Sequence, residues 1–232
     1  PSISKHIVSM RDRCMSKLWC DDEAWGIDFS NFISKLTEGI EPQRIKIIEI
    51  HPPFKEYCDS LETFIERYKP FEEKVLKNFP SVNICIENRF NNPRTKKFGR
   101  FTLSTNEDIV KLTKLISDNN LRLKLVLDIP QLFSEHYDDK LISEGFMISE
   151  VLEPLRDIRS FIHSTHIWGK TDKGVHNADL NIYFKNDIKV KKCFLQEICK
   201  LFDDDTPRYF LPEVFSKNEE MTVEQSIESI VN

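Results

Sequence analysis

The sequence has no run of roughly 18 or more apolar residues, so no segment is long enough to form a transmembrane helix. Its first residues, PSISKHIVSMRDRC, lack the apolar core of a secretory signal. We therefore expect a protein that does not enter the membrane.

Cysteine is present, but no two cysteines form a CxxC pair. Six cysteines are scattered through 232 residues, and a chain of this length does not need a disulfide framework. This distribution favours reduced thiols and a cytoplasmic setting. It argues against a zinc ion held by cysteines.

Glycine-rich phosphate loops are also missing. The chain has only six glycines, with no GxGxxG after any predicted strand and no P-loop spacing. These absences exclude the common dinucleotide and nucleoside triphosphate fingerprints. The formal net charge of −5 argues against coating nucleic acid by bulk charge, although it is compatible with a local basic groove.

Short apolar strands alternate with longer amphipathic segments along most of the chain. Strands are predicted at 44–51, 82–88, 121–128, 159–168 and 208–214. Helices are predicted at 58–79, 104–119, 138–157, 189–202 and 222–232. Strands that alternate with helices of about ten or more residues are typical of βαβ units and a parallel sheet.

This pattern predicts an α/β fold, specifically a TIM-type (β/α) barrel of parallel strands formed by a single domain over residues 1–232. Residues 1–43 are predicted to be mostly helical, and the barrel motifs begin at residue 44. The barrel is therefore expected to be incomplete or atypical in its amino-terminal part. An open doubly wound sheet is the alternative.

Each predicted strand ends at a residue that can bind a metal ion: His51, Glu87, Asp128, His166 and Glu213. The carboxyl ends of parallel strands lie on one face of an α/β fold, and that face holds the active site. Imidazole and carboxylate ligands together suit zinc, manganese or iron. A further histidine, His176, follows the fourth strand in GVHNADL. For any one of these residues taken alone, the alternative is a helix N-cap, a salt-bridge partner or an exposed loop residue.

Glu49 lies two residues before His51 and therefore on the same face of the first strand. The sequence leaves two roles open for it. It is either a partner of the ligands or a buried acid paired with a lysine such as Lys46 or Lys124.

At these residues the chain resembles the xylose-isomerase-like TIM-barrel superfamily, which includes endonuclease IV-type apurinic (AP) endonucleases and sugar isomerases and epimerases. The family order of Glu, Asp, His and Glu at successive strand ends is matched by CIENR, LVLDIPQ, THIWGK and FLPEV. IEIHPP resembles the HPG-type strand end of endonuclease IV, and GVHNADL is placed similarly to the later loop histidine of that family. The resemblance covers residues 44–232.

The resemblance implies a divalent metal cofactor, either Zn, Mn or Fe. Gln131 and Gly174 stand where endonuclease IV-like proteins have His and Asp, which favours one or two ions per chain over three. The implied ligands are Glu87, Asp128, His166 and Glu213 for the first ion, with His51 and His176 for a second.

The function favoured by the resemblance is metal-assisted hydrolysis of phosphodiester bonds in a nucleic acid. The segment RFNNPRTKKFGR follows Glu87 directly and is strongly basic, so it is suited to contact phosphates. The predicted substrate-binding residues are Arg89, Lys96, Lys97 and Arg100, with Trp168 stacking on a base or sugar. The alternatives are a solvated basic loop and a tryptophan that serves only in packing.

Three other functions use the same residues. A sugar or sugar-phosphate isomerase or epimerase would bind a phosphorylated sugar with the same four ligands, and its catalytic residues Glu87 and Glu213 would move a proton at the adjacent carbon. An iron-dependent oxidase would use the His and carboxylate ligands. A non-catalytic barrel that binds a partner is favoured by Gln131 and Gly174. The sequence leaves the oligomeric state open.

Elemental analysis of protein purified without chelator separates these functions. We expect two or more ions per chain for a hydrolase or an oxidase, because the two extra histidines exceed what a mononuclear isomerase needs. One ion per chain would support the isomerase. Metal-free protein would support the binding barrel.

Overall fold

The computed structural model describes residues 23–91, 100–137, 142, 144–170, 176–177, 179–184 and 186–213. The chain divides into two units. Unit 1 comprises Pro1–Leu103 and Lys111–Lys124, and unit 2 comprises Ser104–Val110 and Leu125–Asn232.

The described residues form helices and parallel strands in alternation. The helices are α1 (Glu23–Leu36), α2 (Leu61–Asn78), α3 (Asn106–Asp118), α4 (Ile129–His136), α5 (Gly145–Leu152), α6 (Leu180–Tyr183) and α7 (Ile188–Leu201), with 3₁₀ segments at Pro42–Arg44 and Glu153–Phe161. The strands are β1 (Ile47–Ile50), β2 (Asn83–Glu87), β3 (Lys124–Asp128), β4 (Ile162–Ile167), β5 (Gly169–Lys170), β6 (His176–Asn177) and β7 (Tyr209–Pro212). Among the described helices, none has both the length and the apolar character needed to cross a bilayer.

In unit 1, β1 and β2 pair in parallel, and Ile50 lies opposite Ile86. Both isoleucines are fully buried, as β-branched residues in a parallel pair usually are. Helix α2 begins at an N-cap, Ser60, whose hydroxyl accepts a hydrogen bond from the N–H of Thr63. The parallel register of β1 and β2 brings the carboxyl ends of these two strands side by side.

In unit 2, β3, β4 and β7 run parallel to their neighbours. Asp128 lies opposite His166, and His166 lies opposite Leu211. Helices α5 and α7 approach each other closely at Gly145, where an added Cβ would lie 2.7 Å from Cys193 Sγ. Glycine is needed there because any side chain would force the thiol to move.

The parallel α/β class predicted from the sequence is confirmed, and each of the five main strands lies within its predicted range. The closed TIM-type barrel and the single domain stay predictions. The described α1 agrees with the helical prediction for residues 1–43. Residues 1–22 and the tail helix predicted at 222–232 lie outside the described residues.

Several element boundaries differ from the prediction by a few residues, and those around the segment before β4 have a physical reason. The helix predicted over 138–157 is described from Gly145 and becomes a 3₁₀ helix at Glu153. Pro154, which has no N–H to donate, stands at the start of that segment. The 3₁₀ helix extends to Phe161, so β4 begins at Ile162 rather than at the predicted residue 159. Helix α4, which follows β3 directly, was not predicted from the sequence.

Glu72 of α2 is a buried carboxylate that fixes the chain entering β3. Its oxygens accept hydrogen bonds from the N–H of Arg122 at 3.0 and 3.1 Å and from the Tyr68 hydroxyl at 2.7 Å. Only 6% of Glu72 is exposed. A buried donor that loses its acceptor retains its full desolvation cost, so Glu72 links α2 to the segment that precedes β3.

Replacing Glu72 with Ala should lower the free energy of unfolding by about 2–4 kcal/mol, because the buried Tyr68 hydroxyl and the part-buried N–H of Arg122 both lose their acceptor. The matched control is Glu73→Ala, which removes the same charge from the exposed neighbouring position. It should change stability by no more than about 0.5 kcal/mol. Urea denaturation measures both, and equal losses would contradict the proposed role of Glu72.

Candidate metal-binding groups at the strand ends

The first group of ligand-type residues lies in unit 1. His51 follows β1 directly, and Glu87 is the last residue of β2. Because Ile50 and Ile86 are paired in register, these next two residues are neighbours, and His51 Nε2 lies 2.9 Å from Glu87 Oε2. Glu49 joins them, since the three residues offer ligand atoms that all lie within 4.8 Å of one another.

The proton between His51 and Glu87 can be placed by elementary chemistry. An ionised carboxylate only accepts hydrogen bonds, so the 2.9 Å contact requires Nε2 of His51 to carry the proton. A metal ion binds only a deprotonated ring nitrogen. Cation binding through Nε2 would therefore expel that proton or move it to Nδ1.

Glu87 is the most buried member of this group. Its side chain is 2% exposed, and Arg89 Nη1 contacts both carboxylate oxygens, at 3.1 and 3.3 Å. A buried charge is tolerated when an opposite charge and hydrogen bonds compensate for its lost hydration. Arg89, predicted to bind substrate, is thus an ion-pair partner of Glu87 in this structure.

Cys85 lies beneath this group, opposite Glu49 in the β1–β2 register. Burial, together with the nearby Glu49, raises the pKa of its thiol to about 12, and Lys124 opposes this rise. The thiol is therefore protonated near neutral pH, and a protonated thiol is a poor metal ligand. The donor atoms of the group remain oxygen and nitrogen.

The donor set of unit 1 fits a divalent cation of the zinc, manganese or iron type. Two ligands on one tetrahedral zinc ion are about 3.4 Å apart when each bond is about 2.1 Å. The separations within 4.8 Å reach that geometry with small side-chain rotations. The guanidinium of Arg89 would have to leave at least one oxygen of Glu87 first.

The basic segment that follows Glu87 starts and ends at a fixed stem in unit 1. Phe54 and Phe101 form a β-bridge with their rings stacked at 4.4 Å, and the N–H of Thr102 donates to the carbonyl of Pro53 at 3.0 Å. The N–H of Phe101 donates to Asn91 Oδ1 at 2.6 Å. Since Pro53 is two residues from His51, this stem lies beside the first group.

The predicted phosphate-contacting residues of that segment are only partly described. Lys96 and Lys97 lie outside the described residues. Arg100 is exposed, and its carbonyl accepts a hydrogen bond from the N–H of Lys55 at 2.6 Å. The backbone of Arg100 is therefore held at the stem while its side chain reaches solvent.

The second group of ligand-type residues lies in unit 2. Asp128, the last residue of β3, is the register partner of His166 in β4, and their ligand atoms lie within 4.8 Å of each other. Glu213 follows β7, and its N–H donates to the carbonyl of Ile167 at 3.0 Å. Asp128, His166 and Glu213 therefore belong to the carboxyl ends of three adjacent parallel strands.

Asp128 is also the N-cap of helix α4. Its Oδ1 accepts from the N–H of Gln131 at 3.0 Å, and its Oδ2 accepts from Gln131 Nε2 at 2.8 Å and from the indole Nε1 of Trp168 at 3.3 Å. All three donors are neutral groups, so they orient the carboxylate without cancelling its charge. Trp168 is 5% exposed, which agrees with the packing role that the sequence left open.

His176, the predicted loop ligand, begins strand β6, which pairs antiparallel with β5. His176 lies opposite Lys170 in that pair. The structure describes only the backbone of these two residues, so the ligand role of His176 stays a prediction.

Two contacts of these groups are alternatives that the sequence left open, the Asp128 cap and the ion pair of Glu87, and a third contact was not predicted. The Asp128 cap had a local signal, because Asp-Ile-Pro is a common helix start in which proline occupies the first turn. The pairing of Arg89 with Glu87 also had a local sequence signal, since residues two apart on an extended chain share a face. The contact between Trp168 and Asp128 had no such signal, because it depends on the β3–β4 register.

Fold and site together define a class: an α/β protein with carboxylate and imidazole groups at the ends of parallel strands, able to hold a divalent cation. No protein-family model matches the chain, and no curated protein matches it. The likeness to the xylose-isomerase-like superfamily therefore stays a prediction from the sequence.

Substitution at Asp128 tests its structural role separately from metal binding. Asp128→Ala should lower the free energy of unfolding by about 2–4 kcal/mol, because α4 loses its cap and Trp168 and Gln131 lose an acceptor. Asp128→Asn keeps one acceptor oxygen for the N–H of Gln131 and should cost about 1 kcal/mol. Thermal or urea unfolding gives both values. Equal losses would show that capping is not what Asp128 contributes.

Proposed function

We propose that this chain binds a divalent cation at the carboxyl ends of its parallel strands and uses it to hydrolyse phosphodiester bonds in a nucleic acid. The observation that supports this most directly occurs in each unit. An imidazole lies beside a buried carboxylate at the ends of two adjacent parallel strands, His51 with Glu87 in unit 1 and His166 with Asp128 in unit 2.

The proposed ligands are the strand-end and loop residues that the sequence predicts, taken unit by unit: His51 and Glu87 in unit 1, and Asp128, His166, His176 and Glu213 in unit 2. The within-unit geometry supports the pairs His51–Glu87 and Asp128–His166, which are already neighbours. Binding sites for catalytic metals commonly mix imidazole and carboxylate ligands in this way. The strand order and the family resemblance support the remaining members of the set.

The chain's own groups prepare these ligands for a cation. Gln131 and Trp168 hold both oxygens of Asp128 in fixed directions, so its rotamer is set before any ligand arrives. Glu87 is held by His51 and Arg89. When bound, a cation would polarise a phosphoryl oxygen and lower the pKa of a water molecule toward neutrality.

The nucleic-acid substrate is inferred from the basic segment at 89–100. Its stem is anchored by Pro53, Phe54 and Phe101 next to His51 and Glu87, so the segment starts and ends beside the proposed cation site. Lysine and arginine side chains position nucleic acids by contacting phosphates. The net charge of −5 indicates that the binding region is local rather than spread over the surface.

The direct test is incubation of the protein with DNA that carries an abasic site, in the presence of Mn²⁺ or Zn²⁺. Cleavage should require the metal, stop on addition of a chelator and fall at least about 100-fold in Glu213→Gln, which keeps the shape of the side chain but removes a proposed charged ligand.

The matched control for that experiment is Glu73→Gln, the same chemical change on the exposed face of α2. It should retain full activity. If wild-type protein cleaves no faster than Glu213→Gln, the proposed hydrolase is wrong. DNA without an abasic site is the substrate control, because it shows whether any cleavage that is observed is selective for the abasic site.

A further inference from the structure

We propose that Arg89 is a built-in competitor of the metal ion: its guanidinium occupies the Glu87 carboxylate until a divalent cation displaces it. This inference rests on the proposed cation site, and it adds a control on when that site fills. Arg89 then changes partner during the working cycle, from Glu87 to the phosphate of the substrate.

The contact between Arg89 and Glu87 is close but does not use the full capacity of the guanidinium. A single nitrogen, Nη1, approaches both carboxylate oxygens, at 3.1 and 3.3 Å. The strongest arginine–carboxylate pairs use two nitrogens in parallel. Nε of Arg89 is buried and makes no hydrogen bond within the part of the chain that the structure describes. The guanidinium therefore retains donors for a second anion.

The Arg89 backbone is fixed, so release requires only side-chain rotation. Its N–H donates to the carbonyl of Leu103 at 3.0 Å, and the adjoining stem is closed by the Phe54–Phe101 bridge. The side chain itself is 28% exposed, which gives it a route to solvent. A rotated Arg89 would still lie at the start of the basic segment, where a substrate phosphate is proposed to bind.

The exchange follows from charge balance at Glu87. A carboxylate that is 2% exposed needs a cation beside it, and the guanidinium serves this purpose in the metal-free protein. A divalent ion replaces that charge at the same oxygens, so the guanidinium and the ion compete for them. Binding of the two is therefore mutually weakening, and a phosphate that attracts Arg89 away should strengthen metal binding by linkage.

Arg89→Gln tests the competition through Mn²⁺ affinity, measured by calorimetry or by the spin-resonance signal of free Mn²⁺. Removing the competitor should increase Mn²⁺ affinity by about 10- to 100-fold. This effect is smaller than the one expected for a fully buried ion pair, because Arg89 is partly exposed and solvent screens its charge. A residue that only supports the fold would give the opposite result, since its loss would weaken or leave unchanged the binding of the ion.

The matched control is Arg44→Gln. Arg44 is exposed and precedes β1, at the end of the strand opposite to His51. The substitution therefore removes the same charge as Arg89→Gln does, but at a position distant from Glu87. Screening at physiological ionic strength, with a decay length of about 8 Å, should limit its effect on Mn²⁺ affinity to about twofold. Any larger effect measures the contribution of net charge and is subtracted from the Arg89 result.

If Arg89→Gln does not fold, as judged by circular dichroism, Arg89→Lys replaces it. Lysine keeps the charge but lacks the planar donor group, so it should compete less well for the Glu87 carboxylate. Mn²⁺ affinity should therefore rise by about threefold. Inorganic phosphate added to wild-type protein should increase Mn²⁺ affinity more than it does in the Arg89 variant.

The outcomes separate the two proposals. Equal Mn²⁺ affinity in wild type and the Arg89 variant would overturn the competition while leaving the cation site intact. No Mn²⁺ binding to either protein would overturn the proposed function and the competition with it. Mn²⁺ binding only in the variant would support both.

Discussion

The compensation of buried carboxylates at strand ends is the constraint on which the rest of the site depends. Glu87 and Asp128 are 1% and 0% exposed, and each ends a parallel strand whose other residues are mostly apolar. An ionised carboxylate removed from water is costly unless charges or hydrogen bonds replace its hydration. Each unit provides that replacement with its own groups, and the charge of those groups determines how readily the carboxylate binds a cation.

The two carboxylates are compensated in different ways. Glu87 has a charged partner, Arg89, and an imidazole partner, His51. Asp128 accepts hydrogen bonds from a backbone amide, a side-chain amide and an indole, all of them neutral. These three neutral donors lower the free energy of the ionised carboxylate without themselves cancelling its charge. A charged partner cancels it, so any ion binding at Glu87 must displace that partner.

Much of the fold could be predicted from sequence because it depends on local patterns. Two strands are predicted directly by runs of β-branched residues, at 47–50 and 83–87. One helix is predicted directly by the spacing of its apolar residues, over 61–78. Helix α4 was missed because it is only eight residues long and follows β3 without a loop. The 3₁₀ helix at Glu153–Phe161 was only partly predicted as helical, since its proline and mixed spacing match neither a regular helix nor a strand.

The candidate site could be predicted only as a set of residue types. The sequence placed His or a carboxylate at each strand end, but the contact of His51 with Glu87 depends on the β1–β2 register, and that of Trp168 with Asp128 on the β3–β4 register. Register is set by tertiary packing and cannot be read from one strand alone. The capping role of Asp128 was not assigned for a different reason, because helix α4, which Asp128 caps, was itself missed.

The capping role of Asp128 and its proposed role as a ligand are physically compatible. A carboxylate offers about four lone-pair sites, so the three hydrogen bonds from Gln131 and Trp168 do not by themselves prevent Asp128 from binding an ion as well. These bonds fix the orientation of the group toward its register neighbour, His166. Helix α4 thus does for Asp128 what an outer hydrogen-bonding partner does in known metal sites, because it fixes the ligand before the ion arrives. At Glu87 the fixing partner is itself a cation, so the same buried geometry there resists an ion until the guanidinium has moved.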